Sequence, residues 1–185
     1  MKFLIGIIFL FIALGAFGRD YPDSGFTNKA EAKNLMVNGL KERKWVEYQD
    51  MMGNFNTDTH STYYILSIYK KGVVNGIVRR YYNNGKLHAT IYYTVGKLNG
   101  TSRYYFKNKK LMSETTYRND TIIGLEKYYY ESGKLNGENP YVNGKLNGIA
   151  KEYYESGKLK SETIYTNGIK GTIKNYDENG KEIKQ

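Results

Sequence analysis

From Tyr69 to Tyr165 the chain alternates runs rich in Tyr, Thr, Ile and Leu with polar, glycine-bearing breaks. The runs last six to eight residues and alternate apolar with polar positions, the period of a half-buried strand. Two breaks fall in every 24 residues, as in "ESGK" at 155–158 and "VNGK" at 142–145. This spacing predicts one β-hairpin per unit, joined to the next by another hairpin. Four columns keep the same step of 24: Tyr69, Tyr93, Tyr117, Tyr141 and Tyr165; Gly76, Gly100, Gly124 and Gly148; Tyr81, Tyr105, Tyr129 and Tyr153; Leu87, Leu111, Leu135 and Leu159. Shared phase in independent columns marks a tandem array. The expected fold is all-β, an elongated single-sheet antiparallel meander in which each hairpin touches its neighbours.

The regular breaks read residue-residue-Gly-Lys after an aromatic, which suits a three-residue loop with glycine in the left-handed region. Such a loop pairs Tyr153 with Leu159 and Lys151 with Ser161. The Tyr81, Leu87 and Tyr93 columns then share one surface, because a one-residue slip would exchange faces. The unit beginning at Tyr165 is one residue short, and "VNGLKERKWVEY" is a degenerate earlier copy. That copy carries nine extra residues, placed within "DMMGNFNTDTHST" at 50–62.

The first eighteen residues break the pattern: Lys2 precedes the apolar run Phe3–Phe17, and Ala16 and Gly18 are spaced like a cleavage site. This is the layout of a secretory signal peptide. The expected organisation is a leader over 1–18, a cap or linker over 19–36 and a repeat domain over 37–185. Within the repeat domain, the degenerate unit spans 37–68, regular units 69–164 and the shortened last unit 165–185. Residues 19–36 fit either a short helix around "NKAEAKN", with Asn28 as cap and Glu31 three positions on, or a capping strand.

Composition sharpens this picture. The chain has 185 residues with 20 Tyr, 20 Gly and no Cys, so disulfides, thiolate metal sites and a lipoprotein cysteine are excluded. Export to the periplasm, outer membrane or exterior is the expected localisation. A formal charge of +10 draws the chain towards anionic surfaces without naming one.

The phrases "YYESGKLNG", "YVNGKLNG" and "YYNNGKL" resemble the MORN-repeat variant of many bacterial proteins, over roughly residues 37 to 185. The resemblance implies antiparallel hairpin meanders with no catalytic residues. Some bacterial relatives are labelled antitoxins, and eukaryotic MORN proteins are linked to membranes, dimerisation and scaffolding. The sequence departs from the pattern at Lys109, where the turn glycine is replaced, and at Thr121-Ile122-Ile123, where "GKL" is lost.

The candidate ligand-binding face is a basic column, Arg79, Arg103, Lys127, Lys151 and Lys174, beside Tyr81, Tyr105, Tyr129 and Tyr153. Small residues, Ala89, Ser113, Gly137 and Ser161, are expected opposite the cations, whose stems would cover the aromatic surface. Lys86, Lys110, Lys134 and Lys158 are expected to stack on Tyr82, Phe106, Tyr130 and Tyr154 across the turns. His60, two residues after Asp58, belongs to a solvated loop, and Trp45 to packing in the first unit. No acid-base pair, nucleophile triad or phosphate loop is visible, so neither an enzyme nor a cofactor is expected. The reading is an exported, non-enzymatic binding or scaffold module, with an antitoxin or immunity-like role as the alternative. A protein partner leads, with an anionic lipid headgroup or a glycan next. Nucleic acid is disfavoured by export, and the sheet edges offer a route to self-association.

Overall fold

The computed structural model describes residues 26–183. The leader expected over residues 1–18 lies outside them. Strands β1 (Leu35–Val37), β2 (Leu40–Gln49), β3 (Phe55–Asn56), β4 (Tyr63–Lys70), β5 (Val73–Val74), β6 (Gly76–Tyr82), β7 (Leu87–Thr94), β8 (Lys97–Leu98) and β9 (Gly100–Tyr105) form the first half. The second half comprises β10 (Leu111–Arg118), β11 (Thr121–Tyr129), β12 (Leu135–Val142), β13 (Lys145–Leu146), β14 (Gly148–Tyr153), β15 (Leu159–Thr166), β16 (Ile169–Tyr176) and β17 (Glu182–Ile183). Neighbouring strands pair antiparallel, with β5 and β6 in line on β4, β8 and β9 on β7, and β13 and β14 on β12; the sheet does not close, giving the expected meander of tandem hairpins.

Two kinds of turn alternate, where one was expected. At "YESGK" the Tyr154 N–H donates to the Lys158 carbonyl at 2.8 Å and the Gly157 N–H to the Tyr154 carbonyl at 2.8 Å. The loop therefore has three residues, and its third residue is left-handed: φ is +90° at Gly157 and +72° at Lys109, which takes this conformation without being glycine. At "VNGK", however, Val142 pairs directly with Lys145. Asn143 and Gly144 have φ of 49° and 78°, a two-residue type I′ turn whose twist matches the flanking strands. The three-residue expectation thus holds for half of the turns.

A second departure alters the faces. Tyr153 pairs with Leu159, as expected, but Glu152 pairs with Ser161, leaving Lys160 as an extra residue. The same step recurs at His88, Met112 and Asn136. One extra residue in one strand is a β-bulge, and every side chain beyond it changes sides relative to an unbulged register. Lys151 therefore stands opposite Glu162 rather than Ser161. The Tyr81 and Leu87 columns share a face, whereas Tyr93 pairs with Gly76 on the opposite one.

At the start of the described residues a single turn, not a helix, precedes the first strand. The Asn28 side chain accepts the Ala30 N–H at 3.0 Å and opens a single 3-10 turn, Lys29–Glu31, before β1. Phe26 is 1% exposed and sits against Leu66 and Tyr81, with Ala32, Val46, Tyr64, Ile68 and Leu87 around them. This is the main apolar cluster. The outer edge of β2 is closed along its length. β1 pairs with residues 40–42, Asn34 exchanges side-chain hydrogen bonds with the Val46 backbone, and β3 covers Tyr48 and Gln49. β3 belongs to the insertion, which turns through the exposed Met51 and Met52. At the other end, among the described residues, β17 covers only Asn175 and Tyr176 of β16.

Candidate functional site

The register gathers Tyr81, Tyr105, Tyr129 and Tyr153 on one face with Arg79, Arg103, Lys127, Lys151 and Lys174. Their neighbours differ from those expected. Crossing the strands, Leu66 stands opposite Arg79, then Thr90 opposite Arg79 and Arg103. Beyond them the rungs alternate in charge: Arg103, Glu114, Lys127, Glu138, Lys151, Glu162, Lys174. The small residues Ala89, Ser113, Gly137 and Ser161 face the other way, because the bulge exchanged their side. Sequence reasoning missed Glu114, Glu138 and Glu162, although they too are 24 apart.

Each glutamate links two units. Glu114 pairs with Arg103 at 3.4 Å and accepts the Tyr129 hydroxyl at 3.2 Å. Glu138 accepts the Tyr153 hydroxyl and Glu162 the Tyr176 hydroxyl, both at 3.2 Å. Burial first, then the nearby carboxylate, pushes the Tyr129 and Tyr153 hydroxyls above their usual range. Arg79 is buried and donates to the Phe26 carbonyl at 3.3 Å, so the N-terminal segment occupies it. The cation column is therefore half of a ladder of alternating charge, with Arg103, Lys127, Lys151 and Lys174 standing against Glu114, Glu138 and Glu162. Replacing Glu138 by Lys puts like charges on three adjacent rungs and orphans the Tyr153 hydroxyl. Cross-strand pairs contribute roughly 0.2–1 kcal/mol each, so about 2 kcal/mol should be lost in urea unfolding. A loss no larger than that of Lys160→Glu, outside the ladder, would contradict the network.

The turn lysines also act differently. Lys86, Lys110 and Lys158 donate to the carbonyls of Lys107, Ser132 and Glu178 in the following turn, at 3.2, 2.6 and 2.6 Å. For these three, a carbonyl acceptor within reach of the ammonium replaces the expected ring stacking. The cation over Tyr82 is instead Lys107, at 5.8 Å. Trp45 packs edge-on to Tyr69 with the Lys41 ammonium above both rings.

The opposite face carries a second constellation. Tyr69, Tyr93, Tyr117, Tyr141 and Tyr165 line one side of it, and Gly76, Gly100, Gly124 and Gly148 stand beside the last four. Arg80, Tyr104 and Tyr128 form a parallel row. Small or polar side chains lie between the rows, including Ser102, Thr115, Glu126 and Asn139. Thr115 donates to Glu126 at 3.0 Å. Burial leads the forces that raise the hydroxyls of Tyr69, Tyr93, Tyr117, Tyr128 and Tyr141, so all five stay neutral. His88, at the first bulge, lies between Tyr63 and Tyr82 at ring distances of 5.0 and 4.8 Å, and burial lowers its pKa. At the β2 end a cleft of about 330 Å³ opens among Glu47, Phe55, Ser67, Tyr69, Arg80 and Tyr93. Ser102 Oγ and Arg80 Nε are buried without a hydrogen-bond partner.

Against known families, the description "MORN repeat variant" matches residues 74–94, 98–119, 123–143 and 146–167. These four matches fall on successive hairpin units. No curated protein matches the chain.

Proposed function

Because the chain belongs to the MORN-repeat variant family, a non-catalytic class of binding and scaffold repeats, we propose that it is an exported binding module of the cell envelope. Its partner macromolecule rests on the face carrying Tyr93, Tyr117 and Tyr141, not on the cation column. One observation carries this choice. The arginines and lysines are already opposed by Glu114, Glu138 and Glu162, while the tyrosine rows have no covering segment among the described residues. Export rests on the layout of residues 1–18.

Two measurements test the reading. Full-length chain expressed in its host should fractionate with the envelope; recovery in the cytoplasm sinks the export half. Purified chain from residue 19 should co-sediment with isolated envelopes, with little sensitivity to salt. Retention should fall when Tyr117 and Tyr141 are replaced by Leu and persist when Lys127 and Lys151 are replaced by Gln. The reverse pattern would return the site to the ladder.

A further inference from the structure

Resting on that reading, we infer that the tyrosine face is a binding trough for an unbranched, uncharged β-1,4-linked glycan running across the strands. Three observations converge on this chemistry. Equivalent tyrosines lie two strands apart, about 9.6 Å in an untwisted sheet. That is close to the length of two sugars in an extended β-1,4 chain, where alternate sugars present the same ring face. One tyrosine per unit can therefore meet every second sugar in one orientation, and an aromatic ring is a suitable surface for the apolar side of a sugar.

Between the rows, the face offers what hydroxyl groups need. Asn139 and Glu126 supply a donor and acceptors from half-buried side chains, with Ser102 and Thr115 buried below them and Thr115 donating to Glu126, while the backbone groups are engaged in the sheet. Ser102 is 3% exposed and its hydroxyl is buried without a partner beneath the rows, a cost to stability that a ligand reaching between the rings would relieve. Arg80 Nε is a second such group on the same face. The face offers no run of unopposed cations to a polyanion: Glu47 and Glu126 stand on it beside Arg80 and Lys41, and the Lys41 ammonium is paired with Glu47 over the Tyr69 ring. An extended peptide would find few free backbone partners on a sheet face, whereas a sugar chain does not require them.

The cleft of about 330 Å³ beside β2 gives the trough an end. Glu47 there accepts the Tyr69 hydroxyl at 2.8 Å and pairs with Lys41, while Arg80 lies 3.8 Å above the Tyr63 ring. A carboxylate, a guanidinium and the Tyr69 and Tyr93 rings line this end together, which fits the terminal sugar of a chain.

The test is calorimetric titration of the chain from residue 19 with chitohexaose in its N-acetylated form and with cellohexaose, using the corresponding disaccharides as controls. At least one hexasaccharide should bind, roughly tenfold or more tighter than its disaccharide, because it spans several tyrosines. Tyr117→Leu and Tyr141→Leu keep bulk in the sheet and remove the stacking ring; each should weaken binding roughly tenfold, the loss of one good contact. Tyr117→Phe should retain most of the affinity. Lys127→Gln and Lys151→Gln, on the other face, should change nothing. No binding of either hexasaccharide by folded protein, or equal losses from the lysine variants, overturns the inference. Envelope co-sedimentation that survives without glycan binding leaves the module reading standing and removes only the ligand class; failure of both removes both.

Discussion

Raising the pH past about 10 should unfold this protein, and the transition midpoint should be nearly flat from that point down to about 7, below which protonation of the half-buried His88 favours the unfolded chain. The cause is the set of tyrosine hydroxyls on both faces. Tyr64, Tyr69, Tyr93, Tyr117, Tyr128, Tyr129, Tyr141 and Tyr153 all hold their protons more tightly in the folded chain than the ordinary value near 10, with burial the largest cause. A folded group with a raised pKa binds more protons than its unfolded counterpart once the latter begins to ionise. Its stabilising effect is complete below the unfolded value and is lost as pH rises through the folded one. Carboxylates beside Tyr69, Tyr128 and Tyr129 oppose ionisation further, so those tyrosinates form only as the structure opens. Tyrosinate absorbance should therefore appear together with loss of β-sheet dichroism. Lysine neutralisation in the same range weakens the ladder as well, but Tyr69→Phe with Tyr128→Phe should shift the transition to higher pH by removing two of the linked groups. Smooth tyrosine ionisation with the sheet intact would show that the rings are open to solvent.

Leu66→Ala should be the most damaging single change in the apolar cluster. Leu66 is 0% exposed and occupies the rung that holds Thr90 or a glutamate in later units. It is this leucine that makes a seat for Phe26; a carboxylate there would reject the ring. Truncating a buried leucine costs about 2–5 kcal/mol, partly through the cavity left behind. Since contacts in such an array run between neighbours, the loss should concentrate in the first two hairpins. Hydrogen exchange should accelerate across β2, β4 and β6, and protease should cut near Phe26, while β10 to β15 keep their protection. A uniform change throughout the chain would mean that the array folds as one unit.

The period, the hairpins and the three-residue turns were legible because the residues that make them recur at fixed steps. Tyr81 and Leu87 had to share a face once the "ESGK"-type loop length was known. The bulge was not legible. Its extra residue is His88, Met112, Asn136 and Lys160 in successive units, four different side chains with no common signature. That single missed residue per unit put Tyr93 on the wrong surface and hid Glu114, Glu138 and Glu162 behind the serines. A usable signal existed: acids and bases that both recur every 24 residues and are separated by a turn belong opposite one another. The Phe26 seat could not have been found by periodicity, because the segment that carries it lies outside the repeat.

The two ends of the ribbon are finished differently, and this gives the array a direction of growth. The outer flank of β2 is occupied from end to end by β1, Asn34 and β3, with Phe26 wedged beneath, so no further unit can be added there. On the far side, among the described residues, β16 meets only the short β17, and its lysines, Lys170 and Lys174, discourage casual pairing without blocking it. Duplication or loss of whole units is therefore tolerated towards the C-terminus, where the ruler can be cut or extended while its zero mark stays fixed.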